Sequence, residues 1–317
     1  MANFIDSVDS RTQLAGTNRL EVLLFSLGRD SVTGREETFG VNVFKVREVM
    51  HIPEITRAPD MPSSVEGMVS LRGSMIPIIN LPKFCGVNSE EKPSILIVTE
   101  YNKNVQGFLV HSVDNIVRLA WEDVKVPPNM MAQQHGGLVT AVTELPDKRI
   151  VMIMDVEMVL AKTSGFGEGE ELFEGIEKLD RDDITVLFAD DSAVARDQIV
   201  RTLNHIGVKH LSASNGSEAW SKIKDLADRA EAAGHKVSDY IQVILTDVEM
   251  PEMDGYVLTK NIKQDPRLAD IPVIMHSSLS ADANQELGKG VGADAYVPKF
   301  QPVELAAKLQ EILNSQP

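Results

Sequence analysis

The sequence predicts two domains of different class, an all-β unit of short strands followed by an α/β unit whose parallel sheet carries helices on both faces. Three observations predict this. The chain has 317 residues, enough for two separate cores. Up to residue 162 it is a series of short apolar runs punctuated by Gly, Pro and Asn. From residue 183 onward, continuous apolar runs alternate with stretches of helical period. The boundaries that follow are 1–162, an acidic connecting segment at 163–182, and 183–317.

In the first domain the strand-like runs are residues 21–27, 38–43, 67–71, 75–80, 94–99, 106–110, 113–118 and 149–154. Many short strands with turn residues between them predict small antiparallel barrels or a sandwich. Residues 43–49 and 156–161 have helical spacing. The segment TSGFGEGEELFEGIEKLDRD is rich in Gly and Glu and poor in apolar residues, a composition that cannot close a core and reads as a linker, with room for a short helix between residues 170 and 179. In the second domain, residues 184–189, 241–246, 271–276 and 294–297 are the strands, and 192–206, 256–263, 281–290 and 303–313 the helices. Unbroken apolar strands separated by helices require a sheet buried on both sides.

Composition narrows the function. With 43% hydrophobic and 25% charged residues, the chain is an ordinary globular protein. Its net charge of −16, acidic in both halves and without a basic stripe, repels phosphate backbones and excludes nucleic acid as an expected partner. The first twenty residues lack the apolar block of a signal peptide, and no run reaches the roughly 18 apolar residues of a membrane helix, so a cytoplasmic chain without membrane insertion is expected. The single cysteine, Cys85, has no partner for a disulfide and no zinc-ligand spacing around it.

The chemistry lies in the second domain. Functional groups of an open parallel sheet collect at the carboxyl ends of its strands, and three acids stand there: Asp190 and Asp191 after one strand, Asp247 after another. If those strands are neighbours, the carboxylates share a few ångströms and need a cation. Oxygen-only ligands with open positions suit Mg2+. Ser277 and Lys299, each at a later strand end, can contact a phosphoryl group, and Asp247 would be the nucleophile that forms an acyl phosphate. Taken singly these are common residues: Asp191 and Ser192 cap helices, Asp254-Gly255 makes turns, and lysines are usually solvated. Their succession at strand ends favours a site.

Residues 183–315 resemble the response-regulator receiver domain through FADDS (188–192), LTDVEMPEMDGY (245–256), PVIMHSS (272–278) and AYVPK (295–299). The resemblance implies a doubly wound, flavodoxin-like fold with Mg2+ held by Asp190, Asp191, Asp247 and the main-chain carbonyl of Glu249. It further implies phosphorylation at Asp247, contact of Ser277 and Lys299 with the phosphoryl group, and a switch role for Tyr296, which reads equally well as a half-buried aromatic. The chain departs from the family pattern where Phe300 follows Lys299, where His276 takes an apolar strand position, and where residues 225–239 lengthen the second helix or its loop.

Residues 20–162 resemble the CheW-type coupling domain of bacterial chemotaxis through LEVLLFSLG (20–28), FGVNVFKVREV (39–49), EGMVSLRGSMIPIINL (66–81), VHSVDNIVRL (110–119) and DKRIVMIMDVEMVL (147–160). In that family the domain is two small SH3-like barrels, and Val46, Glu48 and Arg72 would lie on its partner surface. On residue type alone Arg72 is also a hairpin arginine and Glu48 a solvated helix residue.

A coupling domain followed by a receiver resembles the CheV architecture. It implies a chemotaxis adaptor that docks between methyl-accepting chemoreceptors and a histidine kinase, takes phosphate from that kinase, turns over no separate substrate, and sits in the cytoplasm at membrane-associated receptor arrays. The rival chemistry is an aspartyl-phosphate hydrolase, but those enzymes place nucleophile and acid two residues apart at one strand end, whereas here the paired acids are adjacent and the nucleophile is elsewhere.

Overall fold

The computed structural model describes residues 19–57, 59, 61–101, 104–128, 138–164, 169–181, 183–278 and 288–315. Two compact units divide the chain, residues 20–166 and a second formed from residue 167 onward. No helix among the described residues is long and apolar enough to cross a membrane.

The first unit holds two five-stranded sheets. One contains β1 (Arg19–Arg29), β2 (Glu36–Asn42), β8 (Ser112–Ala120), β9 (Val139–Glu144) and β10 (Ile150–Met154), in the order β8-β1-β2-β10-β9. The other contains β3 (Val46–His51), β4 (Val65–Leu71), β5 (Ser74–Asn80), β6 (Ile95–Tyr101) and β7 (Asn104–Val110), in the order β3-β6-β7-β5-β4. The second sheet is thus inserted whole between β2 and β8. Most pairings are antiparallel, with β2–β10 and β5–β7 parallel. A one-turn helix α1 (Leu81–Phe84) follows β5, and α2 (Val156–Ser164) closes the unit. Each sheet turns its alternate residues onto its own core, Val22, Leu24, Val151 and Ile153 in the first and Ile76, Ile78, Leu96 and Val98 in the second.

The expected helix at 43–49 is a correction. Residues Val43–Lys45 make a single 3-10 turn capped by Asn42, and Val46–His51 then form β3, paired antiparallel with β6. Valines three apart mimic a helix stripe, but β-branched residues favour an extended chain once a partner strand is present.

In the second unit β11 (Thr185–Ala189), β12 (Lys209–Ala213), β13 (Val243–Thr246), β14 (Val273–Ser277) and β15 (Ala295–Pro298) form a parallel sheet in the order β12-β11-β13-β14-β15. Helices α3 (Ala193–Ile206) and α6 (Pro302–Ser315) cover one face, burying Ile199, Leu203, Leu305 and Leu309 against Val186, Phe188 and Leu245. Helices α4 (Gly216–Ala233) and α5 (Gly255–Gln264) cover the other, burying Ile223, Ala227, Leu258 and Ile262 against Leu187 and Ile244. The expected helix at 281–290 lies mostly outside the described residues.

The segment 169–181, acidic as it is, does not run free. Glu170–Phe173 form a 3-10 turn, and Phe173 is buried at 3% exposure. Its ring stacks on His205 of α3, centroids 4.8 Å apart, and the Arg201 guanidinium lies 4.4 Å from its centroid. Arg201 also pairs with Glu170 at 2.6 Å. Ile176 and Leu179 pack on the α3–α6 core, Leu179 N donates to Ile206 O, and Gln310 Nε2 donates to Glu177 O. Apolar residues at 173, 176 and 179 are too few for a core of their own, yet they extend an existing one. Replacing Phe173 by Ala should lower the stability of the second unit by about 3 kcal/mol, the low end for deleting a buried aromatic, read by denaturant unfolding with amide exchange on α3; an unchanged midpoint would mean that the segment is undocked in solution.

Candidate functional site

β11 and β13 are parallel neighbours, with Ala189 opposite Thr246. The residue after each strand is therefore Asp190 on one side and Asp247 on the other, and Asp247 N continues the ladder by donating to Ala189 O. One carboxylate oxygen from each of Asp190, Asp191 and Asp247 falls within 4.8 Å of the others. Among the described residues this is the group that could hold a metal ion. Asp190 is fully buried, Asp247 nearly so, and Asp191 half-buried.

Such a cluster needs positive charge, since two like charges about 4 Å apart repel by about 4 kcal/mol at an effective dielectric near 20. Lys299 supplies it. Its Nζ lies 2.8 Å from Asp190 Oδ2 and 2.8 Å from Asp247 Oδ2, with only 1% of the side chain exposed. Lys299 stands one residue beyond β15, and its N–H donates to Ser277 O, so the β14–β15 pairing sets its position. The next residue, Phe300, is buried with φ +59, an uncommon conformation for an aromatic side chain. Main-chain donors fix the remaining carboxylate oxygens: Ser192 N to Asp190 Oδ1 at 3.0 Å, and Val248 N to Asp247 Oδ1 at 2.6 Å. Three hard oxygen donors at this spacing fit a small divalent cation and are typical of a receiver's Mg2+ site.

The other expected residues gather at the same edge. Ser277 ends β14, buried, and its hydroxyl is hydrogen-bonded to that of Tyr296 on β15. Burial pushes the Tyr296 hydroxyl up to about 12, the Ser277 bond opposes this, and the charges of Asp247 and Glu249 add to it. Glu249 lies half-buried two residues past Asp247. Tyr256, at the start of α5, is a neighbour that the sequence did not single out; burial raises its hydroxyl pKa, with further contributions from Tyr296, Glu249 and Asp247. Ser192 caps α3, Oγ accepting from Ala195 N, so the capping role and the site role coexist. Asp254 caps α5 by accepting from Val257 N. The glycine beside it is there for space: a Cβ on Gly255 would meet Asp247 O at 2.0 Å.

Sequence reasoning also missed Arg196, on the first turn of α3. Its Nη1 donates to Asp190 O at 2.8 Å and to Asp191 O at 2.9 Å. The signal available was an arginine six residues after the first acid, one turn inside a helix that begins at the site.

In the first unit, Arg72 and Gly73 are the two central residues of the β4–β5 hairpin, with φ of +48 and +85 between the paired Leu71 and Ser74. Two residues at positive φ make a type I′ turn, where Asn or Gly is usual and arginine is strained. The Arg72 side chain is 70% exposed and its Nη2 lies 2.9 Å from Glu48 Oε2. Glu48 is on β3, half-buried, and not on a helix. Val46 departs from the expected surface position: its side chain is buried at 2% exposure. The cysteine is half-buried and lines a cavity with Phe39, Leu138 and Met152. Burial pushes its thiol up to about 12, which makes it a small apolar residue and not a nucleophile.

Comparison with known proteins agrees with both halves. The CheW-like domain model matches residues 21–164 and the response regulator receiver domain model matches residues 186–310. Chemotaxis protein CheV3 of Helicobacter pylori is 32% identical over 292 residues, 88% of this chain and 89% of that protein. Chemotaxis proteins CheV1 and CheV2 of the same organism are 26% identical over 333 residues and 25% over 338, covering 99% and 98% of this chain and 99% and 100% of theirs. With two sheets of a coupling unit leading into a five-stranded receiver, and an acid cluster at the strand ends where the receiver's chemistry resides, the chain belongs to the CheV family of chemotaxis proteins.

Proposed function

We propose that this protein is an adaptor between chemoreceptors and their histidine kinase, docking through its CheW-like unit and tuned by Mg2+-dependent phosphorylation of Asp247. The observation that carries the reading is the convergence of Asp190, Asp191 and Asp247 beside a buried Lys299. Asp190, Asp191 and Asp247, with the Glu249 carbonyl, would hold the cation. When bound, Mg2+ supplies charge that neutralises phosphoryl oxygens.

The chain's own groups account for the rest. An Asp247 carboxylate oxygen attacks the phosphorus of the kinase phosphohistidine; the O–P bond forms as the P–N bond breaks, and the electron pair of that bond returns to the imidazole. Lys299, which compensates Asp247, would pair with a phosphoryl oxygen. Ser277 donates to another, which exchanges its bond with the Tyr296 hydroxyl for one to the new group and changes the setting of Tyr296. No second substrate is required. At membrane-associated arrays, in the cytoplasm, Arg72 is the anchor for kinase or receptor. A strained turn that presents an exposed planar cation is consistent with recognition of a carboxylate partner.

Two measurements check this. Incubated with labelled kinase and Mg2+, the wild-type chain should take up label, and Asp247→Asn should lose it by more than about 100-fold, whereas label retained by the variant counts against the acceptor assignment. Arg72→Ala should weaken kinase or receptor binding by about 10-fold, the 1.4 kcal/mol of a moderate hot spot, while leaving the melting temperature of the chain unchanged; calorimetric titration showing equal affinity would remove Arg72 from the interface.

A further inference from the structure

Asp190 is fixed at three points. Its N–H donates to Ala213 O of β12, its Oδ1 accepts from Ser192 N, and its carbonyl accepts from Arg196 Nη1. The next carbonyl, that of Asp191, accepts from the same Arg196 nitrogen. Successive carbonyls of an extended chain point to opposite sides. For both to meet one nitrogen, the chain must turn sharply between β11 and α3, and that turn sends both carboxylates toward Asp247. Arg196 is itself anchored, since its N–H donates to Ser192 O in the first turn of a 14-residue helix packed on the sheet.

We infer that Arg196 is a positioning residue for the metal site, holding the Asp190 and Asp191 carbonyls back so that the carboxylates, and not main-chain oxygens, face the cation. Main-chain carbonyls are hard oxygen donors and compete for a divalent ion wherever they can turn toward it. Arg196 withdraws two of them while leaving the Asp190 and Asp247 carboxylates to Lys299. It acts as outer-sphere partners of metal ligands do, whose loss costs about 10–100-fold in affinity.

The inference rests on the Mg2+ site proposed above. Because a single nitrogen makes both bonds, a lysine can replace the arginine and a methionine of similar length cannot. Titration calorimetry of the full chain with Mg2+ alone should show Arg196→Met binding about 10–100-fold more weakly than wild type and Arg196→Lys within about 3-fold, with the melting temperature in chelator unchanged for both. If the Met variant does not fold, Arg196→Gln, whose amide is too short to span both carbonyls, takes its place with the same expectation. Equal affinity for wild type and the Met or Gln variant overturns the inference while leaving the site intact. Equal losses in Met and Lys variants with a lowered melting temperature overturn it too, showing a merely structural role. A wild-type chain that binds no Mg2+, indistinguishable from Asp190→Asn, overturns the site and this inference together.

Discussion

Two buried carboxylates and a third at their edge repel one another, and the receiver unit is arranged around relieving that repulsion. Asp190 and Asp247 leave adjacent parallel strands side by side. Lys299, just past β15, reaches them both, from two strands beyond β13 and three beyond β11. A buried ion group of this kind contributes little net stability, because desolvation cancels most of the attraction, but loss of one partner leaves a charge stranded. The tension leaves three carboxylate groups sharing the single positive charge of Lys299.

Much of this was legible in the residues. The acids, Ser277 and Lys299 stand directly after apolar runs, and a parallel sheet converts that position in the sequence into position at one edge. What the sequence could not show is how the main chain is held. Arg196 is an unremarked helix arginine until its bonds to two carbonyls are seen, and Gly255 reads as a turn residue, although its role is to let α5 approach Asp247 O. β12 was missed for a different reason. As an edge strand it leaves Lys209, Leu211 and Ser212 exposed and so has no unbroken apolar run.

The first unit was readable in its strands and less so in its details. β3 resembled a helix because its valines recur every third residue. Val46 is buried although the family resemblance assigns it to the partner surface, so of the three only Glu48 and Arg72 are exposed enough to be touched, and they touch each other. The connecting segment misled by its acidity: average composition conceals that Phe173, Ile176 and Leu179 are spaced to dock, while the glutamates face outward or, at Glu170, pair with Arg201.

The insertion of one sheet within the other has a bearing on synthesis. Strands β3 to β7 are consecutive, so every partner in that sheet has left the ribosome once residue 110 has emerged. β2 must wait for β10, more than a hundred residues downstream, before its second edge is covered. The nascent chain therefore carries a finished inner sheet beside an incomplete outer one, and contacts of such long sequence separation form slowly. During that interval the edge of β2 presents a row of unpaired main-chain N–H and C=O groups.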